Sequence, residues 1–361
     1  MSIKVFDFFS GCGGTSFGLK QAGMDIVCAI DSDQSSIETF SENFPEAKVL
    51  QKNIEKLSED SIEPYIDRRG GPILFCGCAP CQPFSKQNKG RGAGDPRGGL
   101  LLEFGRFVRY WKPEYILVEN VPGIQKIKYG SPFWEFLILL DSLGYFHKHE
   151  VLSSSAYGVP QKRDRLVLIA SLLAPITLPP ASHDGKTRGF STVREWIGDL
   201  PELAAGEQCS EDPDHRSANL SDLNLKRIGM TPIGGGRDSW PRDLWLDCHK
   251  GHEGHTDVYG RLHWDKPASA LTTRCISLSN GRFGHPSQNR AISVREAACL
   301  QTFPKFYRFS GNLAARARQV GNAVPPLMAR KIGLHILTHY KSIKGGSVNP
   351  TETSFLNVVS S

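Results

Sequence analysis

Short apolar runs alternate with stretches of helical periodicity through the first half of this 361-residue chain, and that rhythm narrows its fold sharply. Residues 4–8 read as a strand, 15–22 as a helix, 25–29 as a strand and 35–43 as a helix. Residues 73–76, 101–111, 115–118, 133–143 and 166–170 continue the pattern. Strands separated by helices predict a parallel sheet covered on both faces. The expected class is therefore α/β: a doubly wound, mostly parallel, Rossmann-like sheet with ligands at the carboxyl ends of its strands.

The rhythm stops at about residue 172. Prolines gather at Pro175, Pro179 and Pro180, glycine turns such as Gly234-Gly235-Gly236 follow, and β-rich runs such as 270–274 appear. This reads as a second, smaller domain of irregular and β structure. Residues 313–339 look helical again, and the Ser/Asn/Thr-rich end reads as a disordered tail. No stretch is long enough to span a membrane and the N-terminus lacks a signal pattern, which predicts a cytoplasmic protein. Nine cysteines, an odd number without a regular framework, fit a reducing compartment. A net charge of +6 suits a polyanionic partner, but many enzymes of small substrates are as basic, so charge alone does not choose.

Residues with chemical capacity fall at the predicted strand edges. Cys81 lies between Pro80 and Pro83, whose fixed φ angles can hold its sulfur in one direction. Glu119 follows the run 115–118, and Gln161, Arg163 and Arg165 alternate before the run 166–170. A nucleophile, an acid and two cations make a candidate active site. The loop Phe9-Ser10-Gly11-Cys12-Gly13-Gly14 follows the first strand and could serve a nicotinamide dinucleotide, a phosphate or S-adenosylmethionine. Its incomplete G-x-G-x-x-G spacing counts against a dehydrogenase. Asp31 ends the second strand, where a carboxylate can accept ribose hydroxyls. Each has a plainer reading: a ligand-free turn, a capping carboxylate, surface ion pairs, or buried filler thiols, as Cys76 and Cys78 are read here.

Asp7-Phe8-Phe9-Ser10-Gly11-Cys12-Gly13-Gly14, Pro80-Cys81-Gln82, Glu119-Asn120-Val121, Gln161-Lys162-Arg163-Asp164-Arg165 and Gln319-Val320-Gly321-Asn322-Ala323-Val324-Pro325 stand in the order found in DNA cytosine-5 methyltransferases. The chain resembles the bacterial restriction–modification members of that family from about residue 5 to 340, outside the middle region and the tail. The resemblance implies residues 1–175 as a catalytic and cofactor-binding domain and 176–311 as a target-recognition domain. It implies that 312–344 return to the first domain, leaving 345–361 as the tail. S-adenosylmethionine would lie against Phe9, Gly11, Gly13, Gly14, Asp31, Asn53, Ile54, Pro80, Asn322 and Val324; the family usually has an acid at the place of Asn53.

The same resemblance implies methylation of C5 in a flipped-out cytosine within a specific duplex sequence. Cys81 would add to C6, Glu119, its pKa raised by burial, would serve N3 in protonated form, and Arg165 would hold O2. Arg163 and Gln161 would steady the thiolate or its loop. DNA contacts would come from Gln82, Ser85, Lys86, Lys89, Arg91 and Arg97 in the basic, glycine-rich segment 82–99, from Gln161, and from Arg237 and Arg242. Thr272-Thr273-Arg274, Arg295-Glu296 and Leu300-Gln301-Thr302-Phe303-Pro304 match segments that mainly support the fold. The cluster Cys248, His249, His252, His255 and His263 fits no common zinc spacing, and no metal is expected. Expected partners are double-stranded DNA and, functionally, a cognate restriction endonuclease; the expected state is a monomer associated with the nucleoid. An RNA-directed relative, a small-molecule oxidoreductase and an inactive DNA-binding protein are the competing readings. Intact Cys81, Glu119 and Arg165 speak against the last.

Overall fold

The structure, a computed structural model, describes residues 2–79, 99–126, 130–247 and 257–345. The chain opens with β1 (Lys4–Phe8), α1 (Gly14–Gln21), β2 (Asp25–Asp31), α2 (Gln34–Asn43) and β3 (Lys48–Gln51). Next come β4 (Ile73–Gly77), α3 (Leu100–Trp111), β5 (Tyr115–Asn120), α4 (Pro132–Ser142), β6 (Phe146–Ser153), β7 (Gln161–Lys162) and β8 (Asp164–Ser171). The remainder holds α5 (Val193–Ile197), α6 (Asp222–Met230), β9 (Ala268–Ser269), α7 (Val294–Leu300), α8 (Leu313–Asn322) and α9 (Pro326–Gly345). Helix starts are set by short polar side chains: Asp33, Ser131 and Asn312 accept hydrogen bonds from the N–H groups of Ser36, Trp134 and Ala315. At α1 the cap is Gly13, with φ of 87° and no side-chain acceptor for the first-turn N–H groups.

Seven strands pair in the order β3-β2-β1-β4-β5-β8-β6. The neighbours among β1 to β5 run parallel, while β8 runs antiparallel to both β5 and β6. The winding direction reverses between β1 and β4, which opens a crevice beyond their carboxyl ends. The antiparallel strand matters for the site. Because Asn120 pairs with Leu166, the start of β8 meets the end of β5 and Arg165 arrives at the crevice edge. Phe6, Phe8, Phe75, Ile116, Val118 and Leu168 pack on the α3–α4 side, whereas Val5, Ala29, Leu74, Leu117 and Val167 face the side of α1 and α9. α9 lies close on α1. A Cβ on Gly18 would overlap the Pro326 carbonyl oxygen and come within 2.6 Å of the Ala329 Cβ.

The region after residue 172 is less β-rich than its sequence suggests. Residues 270–274 are irregular, and described strand structure there is confined to β9, which pairs in parallel with β7, and isolated bridges. Buried Arg261 and half-buried Arg282 do the work a ladder would otherwise do for backbone carbonyls. Arg261 donates to the carbonyls of Thr231, His285, Gln288 and Ile228, and Arg282 to those of Gly234 and Gly235. A separate small core of Ile228, Trp240, Tyr259, Leu278 and Ala291 lies beside them. Residues 294–309 touch both parts of the chain: α7 packs on α5 and α8, and Arg295 pairs with Asp212 and Asp214. Val294, Phe303, Tyr307 and Phe309 join the core of α1 and α2, and the Tyr307 hydroxyl donates to the Cys12 carbonyl.

Candidate active site

The loop after β1 turns sharply, with Phe9 at φ 59° and Gly11 at φ 52°. That turn brings the Gly11 N–H to Asp31 Oδ2 at 2.8 Å, while the Asp33 N–H reaches Oδ1 at 2.9 Å. Each carboxylate oxygen is thereby fixed and keeps a lone pair for another donor. Burial pushes the Asp31 carboxyl above the usual carboxylate value, against the pull of the N–H groups of Asp33, Gly11 and Ser32. The Ser10 hydroxyl is buried without a partner, and a Cβ on Gly11 would meet nothing within 4 Å. Gly13 and Gly14 differ from Gly11. A Cβ on Gly13 would strike Phe44 and the Tyr307 hydroxyl, and one on Gly14 would strike the Val324 carbonyl oxygen. Their side-chain directions are filled by packing, so they seat the loop against its neighbours while Gly11 faces open space.

Other expected cofactor residues sit unequally. Asn322 is exposed at the end of α8, and buried Val324 lies against Gly14. Asn53 is exposed, with Nδ2 donating to Glu55 Oε2 at 2.8 Å and Oδ1 accepting from the Glu55 N–H. Ile54 is only 3 % exposed and belongs to the core beneath α3.

On the other side of the crevice, Arg165 Nε stands 2.7 Å from Glu119 Oε1, and Arg165 Nη1 donates to the Asp164 carbonyl. The ion pair is close, yet among the described residues no hydrogen bond is aligned to Oε1. Asn120 Nδ2 donates to the carbonyl of Ala79 at 3.1 Å, tying the end of β5 to the segment that leads out of β4. Cys81 and Pro80 lie outside the described residues, as do Gln82, Ser85, Lys86, Lys89, Arg91 and Arg97. Cys76 and Cys78 are described, and burial pushes both thiols well above the usual value.

Two expected contact residues turn inward. Gln161, expected at the DNA, is fully buried in an amide network, with Oε1 accepting from the Leu271 N–H at 2.8 Å. Arg237, also expected at the DNA, is 6 % exposed, whereas Arg242 is exposed. Arg163 is buried as well; it donates to the carbonyls of Leu271 and Gly321 at 2.7 and 2.9 Å, which makes it a brace between chain segments. Burial pushes its guanidinium down to about 9, so it stays charged at neutral pH. Sequence reasoning missed the parts of Asn120, Tyr307 and Gln301. The signals for Asn120 were its place in the motif Glu119-Asn120-Val121 and at a strand end. Cys248, His249, His252 and His255 lie outside the described residues.

The model of the C-5 cytosine-specific DNA methylase family matches residues 3–338. The chain belongs to that family. The type II methylase M.HgiDII of Herpetosiphon aurantiacus is 39 % identical to this methylase over 338 residues, covering 92 % of this chain and 94 % of that protein. A candidate DNA modification methyltransferase encoded within an Escherichia coli prophage has a similar fold, with a TM-score of 0.73 at 24 % identity. That likeness covers 93 % of this chain and 99 % of the other. The Entamoeba histolytica methyltransferase EhMeth aligns with a TM-score of 0.64 at 18 % identity, over 94 % of this chain and 99 % of that one. This methylase is thus a DNA (cytosine-5-)-methyltransferase, and the family implies S-adenosylmethionine as its methyl donor. Its loop fits that group: an unpartnered hydroxyl on Ser10, open space over Gly11 and spare lone pairs on Asp31 suit a nucleoside and an amino-acid moiety.

Proposed function

We propose that this methylase modifies C5 of a flipped-out cytosine within a specific duplex sequence, through a covalent bond between Cys81 and C6. The observation that carries the reading is the Glu119–Arg165 pair, 2.7 Å apart at the crevice edge, next to the strand exit that leads to Cys81. S-adenosylmethionine, when bound, supplies an electrophilic methyl group on a sulfonium. Asp31 would hold its ribose hydroxyls, Phe9 its adenine, and Asn322 and Val324 would close the pocket.

Carbon 5 of cytosine is a weak nucleophile until the ring's conjugation is broken. The Cys81 thiolate donates an electron pair to C6, and the C5–C6 π electrons move toward N3 and C5. Glu119 delivers a hydrogen bond and proton to N3, and Arg165 holds both O2 and Glu119. Once C5 carries the methyl group, N3 returns its proton to Glu119, the C5 proton leaves to a base, its electron pair re-forms the C5–C6 double bond and the thiolate is expelled with the C6–S pair. A stacked base offers C6 to no side chain at a sheet edge, so the base must leave the helix. Lys86, Lys89, Arg91 and Arg97 would hold phosphates, with Arg242 on the target side. The similarity to a type II methylase supports a modification role beside a cognate endonuclease. No described helix is long and apolar enough to cross a membrane.

The test is a duplex carrying 5-fluorocytosine at the target. Fluorine replaces the proton that must leave, so a denaturant-stable protein–DNA adduct should form only with S-adenosylmethionine present. Cys81→Ser should form none while still binding the donor. An adduct that ignores the donor, or turnover by Cys81→Ser, would sink the covalent assignment.

A further inference from the structure

In the reading just proposed, base-side groups stand on β7 and β8 and donor-side groups follow α8. Two buried amides join these places. Gln161 Nε2 donates to Gln301 Oε1 at 2.9 Å and, at 3.5 Å, to the Leu300 carbonyl. Gln301 is itself fully buried, and its Nε2 donates to the carbonyls of Val320 at 2.7 Å and Ala323 at 3.2 Å. Those carbonyls flank Gly321 and Asn322. The orientation is unique: turning the Gln301 amide over would set its oxygen against two carbonyl oxygens and its NH2 against that of Gln161. Arg163, between β7 and β8, repeats the tie by reaching the carbonyls of Leu271 and Gly321.

We infer that Gln301 is a positioning residue for the donor pocket, acting through the Val320 and Ala323 carbonyls and keyed by Gln161 to the segment that runs from β7 into β8 and so to Arg165. The helix fixes the chain up to Asn322, and Pro325 forces the residue before it out of helical geometry. Between them, residues 323 and 324 change direction, and the Gln301 amide fixes where they do so. A small shift there moves Asn322 and the Val324 carbonyl, which already touches Gly14. Arg163 and the body of α8 remain to hold the fold when the amide is lost, so the effect should concentrate in the pocket wall. The inference rests on the proposal that residues 322–324 line that pocket.

The test uses the full-length chain with Gln301→Met, which keeps the side chain's length and removes its donors and acceptor. The KM and the directly titrated Kd for S-adenosylmethionine should rise about tenfold, the scale of one or two lost hydrogen bonds. Turnover at saturating donor and affinity for target duplex should stay within about twofold. Gln161→Met, which leaves both Gln301–carbonyl bonds possible, should raise the same KM by a smaller factor, and it carries the test if Gln301→Met does not fold. Unchanged donor affinity in a folded variant of either residue, or lost turnover at unchanged KM, overturns the inference. A wild-type protein that binds no S-adenosylmethionine overturns instead the reading of the pocket on which it rests.

Discussion

A lysine at position 165 would carry the charge of Arg165 but not its shape. Arg165 uses Nε toward Glu119 and Nη1 toward the Asp164 carbonyl at the same time, a fork that an ammonium on a flexible stem cannot reproduce. Arg165→Lys should therefore lower single-turnover methylation by at least about tenfold, while thermal melting stays within a few degrees because the pair is at the crevice edge. Normal turnover in the variant would remove Arg165 from the chemistry. A second carboxyl, Asp7, makes a different prediction. It is fully buried in β1, with Oδ2 accepting from the Ser16 hydroxyl at 2.5 Å and Oδ1 unpartnered, and burial pushes its pKa up to about 7. Between the unfolded value near 4 and 7, the folded protein holds a proton that the unfolded chain has released. Stability from this group is whole below about 4, falls as pH rises through that window and is lost above about 7. Asp7→Asn, which stays neutral, should gain stability relative to wild type on going from pH 5 to pH 8, read as the difference between the two melting curves. A difference that does not change with pH would show that Asp7 titrates normally.

At the scale of elements, what could be read from the chain follows what each signal contains. The buried strands 4–8, 73–77 and 115–120 announce themselves as apolar runs. β3 and β6 do not, because both are sheet edges: Phe146 and Val151 are exposed and His147, Lys148, His149 and Glu150 lie between them. The direction of β8 was also illegible, since periodicity carries no sense of parallel or antiparallel, yet that direction is what delivers Arg165 to Glu119. The helical stretch 313–339 is two helices, broken where Pro325 restricts its predecessor. Gln161, Arg163 and Arg237 are buried, and the first two serve irregular backbone: Gln161 Oε1 accepts from the Leu271 N–H and Arg163 donates to the Leu271 carbonyl. Helix contact gives this scale its prediction. Gly18→Val would drive a branched side chain into the Pro326 carbonyl and Ala329, and should cost about 1–3 kcal/mol or more in chemical unfolding. A variant as stable as wild type would mean that α1 and α9 separate freely.

For the molecule as a whole, the division of labour is the open question that an exchange can answer. Grafting the middle region of a relative between about residues 176 and 290 should change the methylated sequence and leave the reaction unchanged. The structure constrains the seam. Arg290 pairs with Glu296 through both carboxylate oxygens at 2.7 Å, fully buried, and His285 stands beside them, so Arg290, His285 and Glu296 must travel together or stay together. A soluble, donor-binding chimera that kept the parental target sequence would place recognition outside the exchanged region. The seating of α9 on α1 has one more consequence, in time rather than space. These helices lie about 300 residues apart in the chain, and a ribosome adding roughly 10 residues per second needs about half a minute to go from one to the other. Through that interval the apolar face of α1 waits uncovered, and the segment at 322–324 that meets Gly14 does not yet exist. The nascent chain therefore has its greatest need of chaperone cover early and, on the proposal that residues 322–324 line the donor pocket, completes that pocket late, so that methylation of DNA would begin only when synthesis has passed α9.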